Sequence, residues 1–380
     1  MSVPAPKTWA LPETVLQFGA GRFLRAFVDR FIHQANESGQ TVGRVVVVQR
    51  EIDGRADSLQ AQDSFTVLVR GYEQGELIER PEPVASISRS IVAADDWREV
   101  LRIAGTTELK YIVSNATEAG YKLDPADKLL SHPPASLPGK LTQTLWARFN
   151  HRLRGITILP CELIERNADK LRDLVLEQAA AWELPAEFKI WVTNECLWLN
   201  NLVDCIVTSP PADHPLAAKD ALFTCAEPYA LWAIERPVNG NLVLFHHPAI
   251  QLVDDLSPFY LRKVRILNGM HSAMVAKFKD RGFVTVQDVL KDAKATRWIR
   301  DLLYEEIVPT IAYRIPGVAH FADATFDRLR NPYQQHKLSD IALNHADKIR
   351  VRLQPTHDEY VQLFGRSPTR LAEALVANVT

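Results

Sequence analysis

Cysteine is scarce in this chain: four in 380 residues, Cys161, Cys196, Cys205 and Cys225. Their spacing matches neither a disulfide framework nor a set of metal ligands. A disulfide-stapled or zinc-built fold is therefore not expected, and a reducing cytoplasm is the default compartment. An excess of charge of one sign is missing too. Lys plus Arg is 44 against 46 Asp plus Glu, a net charge of −2, so no bulk field draws the chain to nucleic acid or to an anionic membrane. No apolar run approaches bilayer length, and Met1–Lys7 carries no apolar signal-like segment. Repeats and low-complexity tracts are absent.

Apolar residues are plentiful. At 47% hydrophobic over 380 residues the chain can bury a large core, and two or more domains are expected. Thr14-Val15-Leu16-Gln17-Phe18 reads as a short buried strand running into Gly19-Ala20-Gly21, after which Phe23, Phe27, Phe31 and Ile32 recur at helical spacing. Arg44–Arg50 then supplies a second strand with the apolar centre Val45–Val48. Strand, glycine turn, helix, strand is the opening of a Rossmann-type dinucleotide-binding domain. Gly19 permits the tight turn, Gly21 lets the backbone approach a pyrophosphate, and the helix N-terminus favours negative charge. Two positions depart from that fingerprint. Leu24 stands where a third glycine is usual, and the second strand ends in Gln49-Arg50-Glu51 rather than directly in an acidic residue. Glu51 reaching a ribose would favour NAD, and Arg50 beside a 2′-phosphate would favour NADP; the residues leave both open.

Phe65–Tyr72 and Glu76–Glu79 flank Glu73-Gln74-Gly75 and read as a hairpin inserted into the α/β unit. A helix is expected over 95–104 and a strand over 109–115. Ligands gather at the carboxyl ends of strands in open α/β sheets, which makes Asn115, Thr117 and Glu118 candidate contacts; a polar turn closing a strand explains them equally. Further on, helices are expected over 139–154 and 167–182, the latter capped by Asn167, with strands over 155–161, 188–193, 202–208 and 242–245. After Ser257-Pro258 the pattern turns helical: 260–279, 286–292, 294–311, 321–330, 335–353 and 369–378. The expected organisation is a Rossmann-type domain with a hairpin insertion over 1–256 and a mainly α-helical substrate and catalytic domain over 257–380.

The first helix of that second part carries Lys263-Val264-Arg265-Ile266-Leu267-Asn268-Gly269-Met270-His271. At roughly 100° per residue, Lys263 lies at about 0°, His271 near about 80° and Asn268 near about 140°, all on one half of the helix. A buried lysine can pass a proton to or from a substrate oxygen, and an amide and an imidazole can hydrogen-bond the same molecule. An amphipathic helix with an exposed lysine and a satisfied histidine has the same spacing.

The stretches Phe18–Arg25 and Ser114–Tyr121, with the pattern K-x4-N-x2-H at Lys263, Asn268 and His271, resemble the polyol-specific long-chain dehydrogenases, or mannitol dehydrogenase family, over nearly the whole chain. Leu159–Ile164, Val253-Asp254-Asp255, Tyr304–Ile307 and Arg330–Tyr333 are similar to its tagaturonate-reducing branch. The resemblance implies NAD-dependent hydride transfer (NADP not excluded), without a metal, to a small-molecule keto-uronate of the D-tagaturonate type. Fructuronate or a neutral polyol is the alternative substrate, and a cytoplasmic monomer or homodimer the expected form. It implies that Phe18, Gly19, Gly21, Arg22, Phe23, Gln49, Arg50, Asn115, Thr117 and Glu118 meet the cofactor. Lys263 would be the general acid/base, Asn268 would bind the oxyanion and His271 a substrate hydroxyl. Arg328, through a bidentate pair, and His336 would meet the substrate's carboxylate. Leu163 departs from the mannitol and fructuronate branches, which carry a second oxyanion-stabilising Asn there, so another group must assist Asn268.

Overall fold

A computed structural model of the chain describes residues 10–49, 58–59, 61–116, 120–237, 242, 244–334 and 336–376. Among these the strands are β1 (Glu13–Phe18), β2 (Arg44–Gln49), β3 (Phe65–Glu73), β4 (Glu76–Val84), β5 (Ile87–Val92), β6 (Tyr111–Ser114), β7 (Thr157–Pro160), β8 (Leu197–Trp198), β9 (Asn201–Asp204), β10 (Val207–Thr208), β11 (Thr224–Ala226), β12 (Leu231–Glu235) and β13 (Ile250–Val253).

The chain divides into two compact units, one of residues 1–69, 80–226 and 230–256, the other of residues 70–79, 227–229 and 257–380. The first is built on a parallel sheet in the order β5-β2-β1-β6-β7-β8. Val45 to Val48 of β2 are all buried, as a strand covered on both faces requires. Leu16, Val46 and Ile112 from the strands pack with Val100, Leu145, Leu171 and Phe188 from helices in one core. Two smaller sheets are ordered β10-β11-β3-β4 and β13-β12-β9. The second unit is a helical domain whose core runs from Ile266, Met270 and Met274 through Ile299, Leu303 and Ile311 to Phe326, Leu353 and Leu371. The fold is thus a Rossmann-type α/β domain with a mainly α-helical C-terminal domain. Among the described residues, no helix is long and apolar enough to cross a membrane.

Several local expectations need correction. Residues 188–193 are not a strand but lie in the helix Ala186–Asn194. Phe188 and Val192, four apart, are its buried pair, and Ile190, which completes the apparent alternation, is 58% exposed. The expected strand over 202–208 is divided between β9 and β10, which join different sheets. Leu242, Leu244 and Phe245 are in no strand, with Val243 outside the described residues. The helix over 335–353 is interrupted: Leu338–Ile341 and His345–Arg352 are separate, with Asn344 at φ 55° between them; Gln335 is outside the described residues. The residue capping Asn167–Ala181 is Arg166, in the left-handed region. Asn167 sits one place inside, where its amide donates to the Pro160, Glu162 and Asn201 carbonyls.

Candidate active site

At the carboxyl end of β1 the chain turns sharply. Gly19 has φ +125°, a conformation that side chains avoid, and its N–H donates to the Val48 carbonyl at 3.1 Å. An added Cβ at Gly19 would meet the Asn115 carbonyl and Leu24 at 3.5 Å, whereas one at Gly21 would meet nothing within 4 Å. Gly21 therefore faces open space at the start of the helical run 22–37, whose first turn has no side-chain cap. Beside it lies a cavity of about 550 Å³ lined by Phe18, Gly19, Val48, Gln49 and Asn115 from the ends of β1, β2 and β6, and by Lys122, Asp124, Ser136 and Lys140 from the segment that follows. β2 and β6 flank β1, so this is the point where the sheet order reverses, the usual place for a dinucleotide. An uncapped helix start, an open glycine and a cavity at the switch point fit a pyrophosphate and its nucleoside.

Of the sequence-derived cofactor residues, Phe18, Gly19, Gln49 and Asn115 line this cavity. Gly21, Arg22 and Phe23 form the turn and first helical residues without lining it. Arg22 is exposed, and Phe23 stacks on Phe27 at 5.0 Å. Arg50, Thr117 and Glu118 lie outside the described residues, as does Glu51. Asn115 donates to the Cys161 carbonyl at 2.7 Å. The neighbouring Glu162 accepts from the Ala116 N–H and the Tyr121 hydroxyl, and burial pushes its carboxyl up. Leu163, at the position of the expected second oxyanion Asn, is 66% exposed and offers no donor.

In the second unit, Lys263–Asn268 is a π-helical segment between the α-helices Ser257–Arg262 and Gly269–Phe278. Hydrogen bonding from i to i+5 widens each turn by close to one residue. Asn268, which an ordinary α-helix would place well round from Lys263, is swung back toward the lysine's side. Both are half-buried, while Ile266, Leu267 and Met270 anchor the other face in the helical core.

His271 follows on the same helix. Its Nε2 is fully screened from solvent and has no hydrogen-bond partner. Burial, with the nearby His336, Arg328 and Arg352 charges, pushes its pKa down to about 3. The ring is neutral. His336 packs edge-on against it with ring centroids 5.7 Å apart, its pKa lowered by burial and by Arg328. The two imidazoles share a cavity of about 300 Å³ with Lys337, Asp340, Ile341, Lys348 and Arg352.

Arg328 does not offer its fork to a ligand as expected. Nε donates to both Glu227 carboxylate oxygens at 3.1 and 3.0 Å and Nη2 donates to one at 2.8 Å, with side chains 4% and 1% exposed. Tyr229 lies under the guanidinium at 4.2 Å. The two-toothed carboxylate pairing reserved for the substrate is made inside the protein.

Two family models cover this architecture, the mannitol dehydrogenase Rossmann domain over residues 13–244 and the mannitol dehydrogenase C-terminal domain over residues 255–379. The chain belongs to the mannitol dehydrogenase family. It is 38% identical to an altronate oxidoreductase of Halalkalibacterium halodurans, over 98% of this chain and 75% of that protein. It is 37% identical to the altronate oxidoreductase of Bacillus subtilis, over 95% of this chain and 78% of that one. The solved structure of Pseudomonas fluorescens mannitol 2-dehydrogenase, a ternary complex with NAD and D-mannitol, has the same fold. Its TM-score is 0.78 at 22% identity, covering 98% of this chain and 80% of that one. As a member of this family the protein is an oxidoreductase acting on CH–OH groups, and its Rossmann domain is of the kind that takes a nicotinamide dinucleotide.

The family motif carries no trace of Glu227, of the Lys348 and Arg352 side chains, or of the Lys122–Lys140 wall of the first cavity. The only sequence signal for these was the density of basic residues in 345–352 (His345, Lys348, Arg350, Arg352).

Proposed function

We propose that the protein is an NAD-dependent oxidoreductase that interconverts a keto-uronate of the D-tagaturonate type and its aldonate, D-altronate, with Lys263 as general acid/base. The observation that carries this reading is the arrangement on one helix. A π turn brings a lysine and a carboxamide to one side of the helix, and one turn later a neutral histidine with an unpartnered Nε2 lines a basic cavity. Identity near 38% to altronate oxidoreductases over nearly the whole chain supports the substrate class.

The nicotinamide, when bound, supplies the hydride for reduction or accepts it for oxidation. In reduction, the Lys263 ammonium gives its proton to the developing alkoxide oxygen; in oxidation, the amine takes the hydroxyl proton. Asn268 donates an amide N–H to that oxygen, a contact of a kind worth about 3 kcal/mol in the transition state. His271, neutral, accepts a hydrogen bond from a substrate hydroxyl at Nε2. A cationic imidazole could not do so. Gln49, which is uncharged at the end of β2, neither repels nor pairs with a 2′-phosphate, and NAD is proposed over NADP on the family relationship.

The test is loss of reduced-nicotinamide absorbance with D-tagaturonate, D-fructuronate and D-fructose, each with NADH and with NADPH. Tagaturonate with NADH is expected to be the fastest pair. Faster turnover of fructose or fructuronate would overturn the substrate and keep the mechanism; no turnover with any pair would overturn the reading.

A further inference from the structure

We infer that Lys348 and Arg352 read the anionic end of the substrate, the task that Arg328 cannot perform while Glu227 occupies its fork; the inference rests on the sugar-acid reading above. The cavity that His271 lines is bounded by two imidazoles, two lysines and an arginine against the single carboxylate of Asp340. Elsewhere in the same unit, buried or half-buried guanidinium groups are met by carboxylates: Arg265 by Glu359, Arg328 by Glu227, Arg370 by Asp301. Among the described residues no carboxylate stands within ion-pair distance of Lys337, Lys348 or Arg352. Lys348 and Arg352 face a cavity instead.

Lys348 and Arg352 are four residues apart on the helix His345–Arg352, so they point the same way, and like charges at that spacing repel. Both are half-buried. Burial lowers the pKa of each, and the Arg352 charge lowers that of Lys348 further. An anion placed between them relieves both costs. Donors remain for it. Lys348 Nζ gives one N–H to the Ile341 carbonyl at 2.8 Å, leaving two. Arg352 Nη1 gives one to Ser272 Oγ at 3.3 Å, leaving four. That second bond ties the guanidinium to the residue after His271, so cation and hydroxyl acceptor are held together. An anion site beside a neutral acceptor suits a hydroxylated acid.

The full chain would be titrated calorimetrically with D-altronate, inorganic phosphate and D-mannitol, and compared with Lys348→Gln and Arg352→Gln. Each substitution is expected to weaken altronate binding about 10- to 100-fold and to raise KM for the keto acid more than it lowers kcat. The ratio of acid to neutral affinity should fall with it, and Lys348→Arg should restore most of the loss. Should Arg352→Gln lower the melting temperature, Lys348→Gln and its rescue decide. Altronate bound equally by wild type and both variants would overturn the inference, as would parallel losses for altronate and mannitol. If wild type binds phosphate but not altronate, and the variants lose phosphate, the anion site stands and the sugar-acid reading falls. If tagaturonate is turned over and the variants bind altronate unchanged, the reading stands and the site falls.

Discussion

His271 carries a ring that burial keeps neutral, its pKa pushed down to about 3. No limb of the kcat/KM profile between about pH 5 and 8 should then belong to His271. His271→Asn should lose about tenfold in kcat/KM without moving the profile, a result that pH–rate curves for both proteins would show. An inflection near pH 6.5 that vanishes in the variant would sink this account. Lys263 carries the larger burden: Lys263→Ala should cost about 10²- to 10⁴-fold in kcat while NADH affinity, read by fluorescence, stays put. These residues were legible in the sequence because they lie on one helix, where spacing fixes direction. The pairing of Arg328 with Glu227, 101 residues upstream, was not legible, because no local pattern announces a buried ion pair made by the fold.

The element that matters most is the turn whose hydrogen bonds run from i to i+5. A deletion of Val264 should return this helix to ordinary winding and, with four residues then separating them, leave Lys263 and Asn268 on one face. Turnover should then persist along with far-UV helicity and cofactor binding; a drop of about 10²-fold or more would show that the wide turn does more than align the pair. The hairpin of β3 and β4 has its own test. Gly71 has φ +141°, and an added Cβ would come within 2.4 Å of the Asn331 amide nitrogen, which donates to the Arg70 carbonyl. Gly71→Ala should cost about 1–3 kcal/mol of stability, measurable by chemical unfolding. The strand–glycine–helix opening and most C-terminal helices could be read from periodicity. β11, β12 and β13 could not, because three to five residues are too few to set a period. The break at Asn344 escaped notice because the apolar spacing continues through it.

The whole molecule keeps several histidines from taking a proton. His33, His247, His271, His336 and His345 all have lowered pKa values, in each case chiefly through burial. Below the unfolded value of 6.5 the unfolded chain binds protons at these sites that the native protein refuses, so their contribution to stability is complete above that pH and drains away as pH falls. Asp29, raised to about 7, and Glu162, also raised, act in the opposite sense. With five groups against two, the free energy of unfolding should decline from about pH 7 to pH 5, and denaturant melts at several pH values would reveal the slope. A flat or rising curve would mean that the buried carboxyls prevail. One further consequence follows from how the helical unit recruits residues 70–79 and 227–229. On the ribosome these pieces emerge long before residue 257, and they must wait, unpartnered, until the last hundred residues have been made. A gene cut at residue 256 would yield a fragment whose Arg328 has no Glu227, a loss worth about 3–5 kcal/mol for a buried pair. The two halves of the gene are therefore poor candidates for separate expression, even though each carries its own family signature.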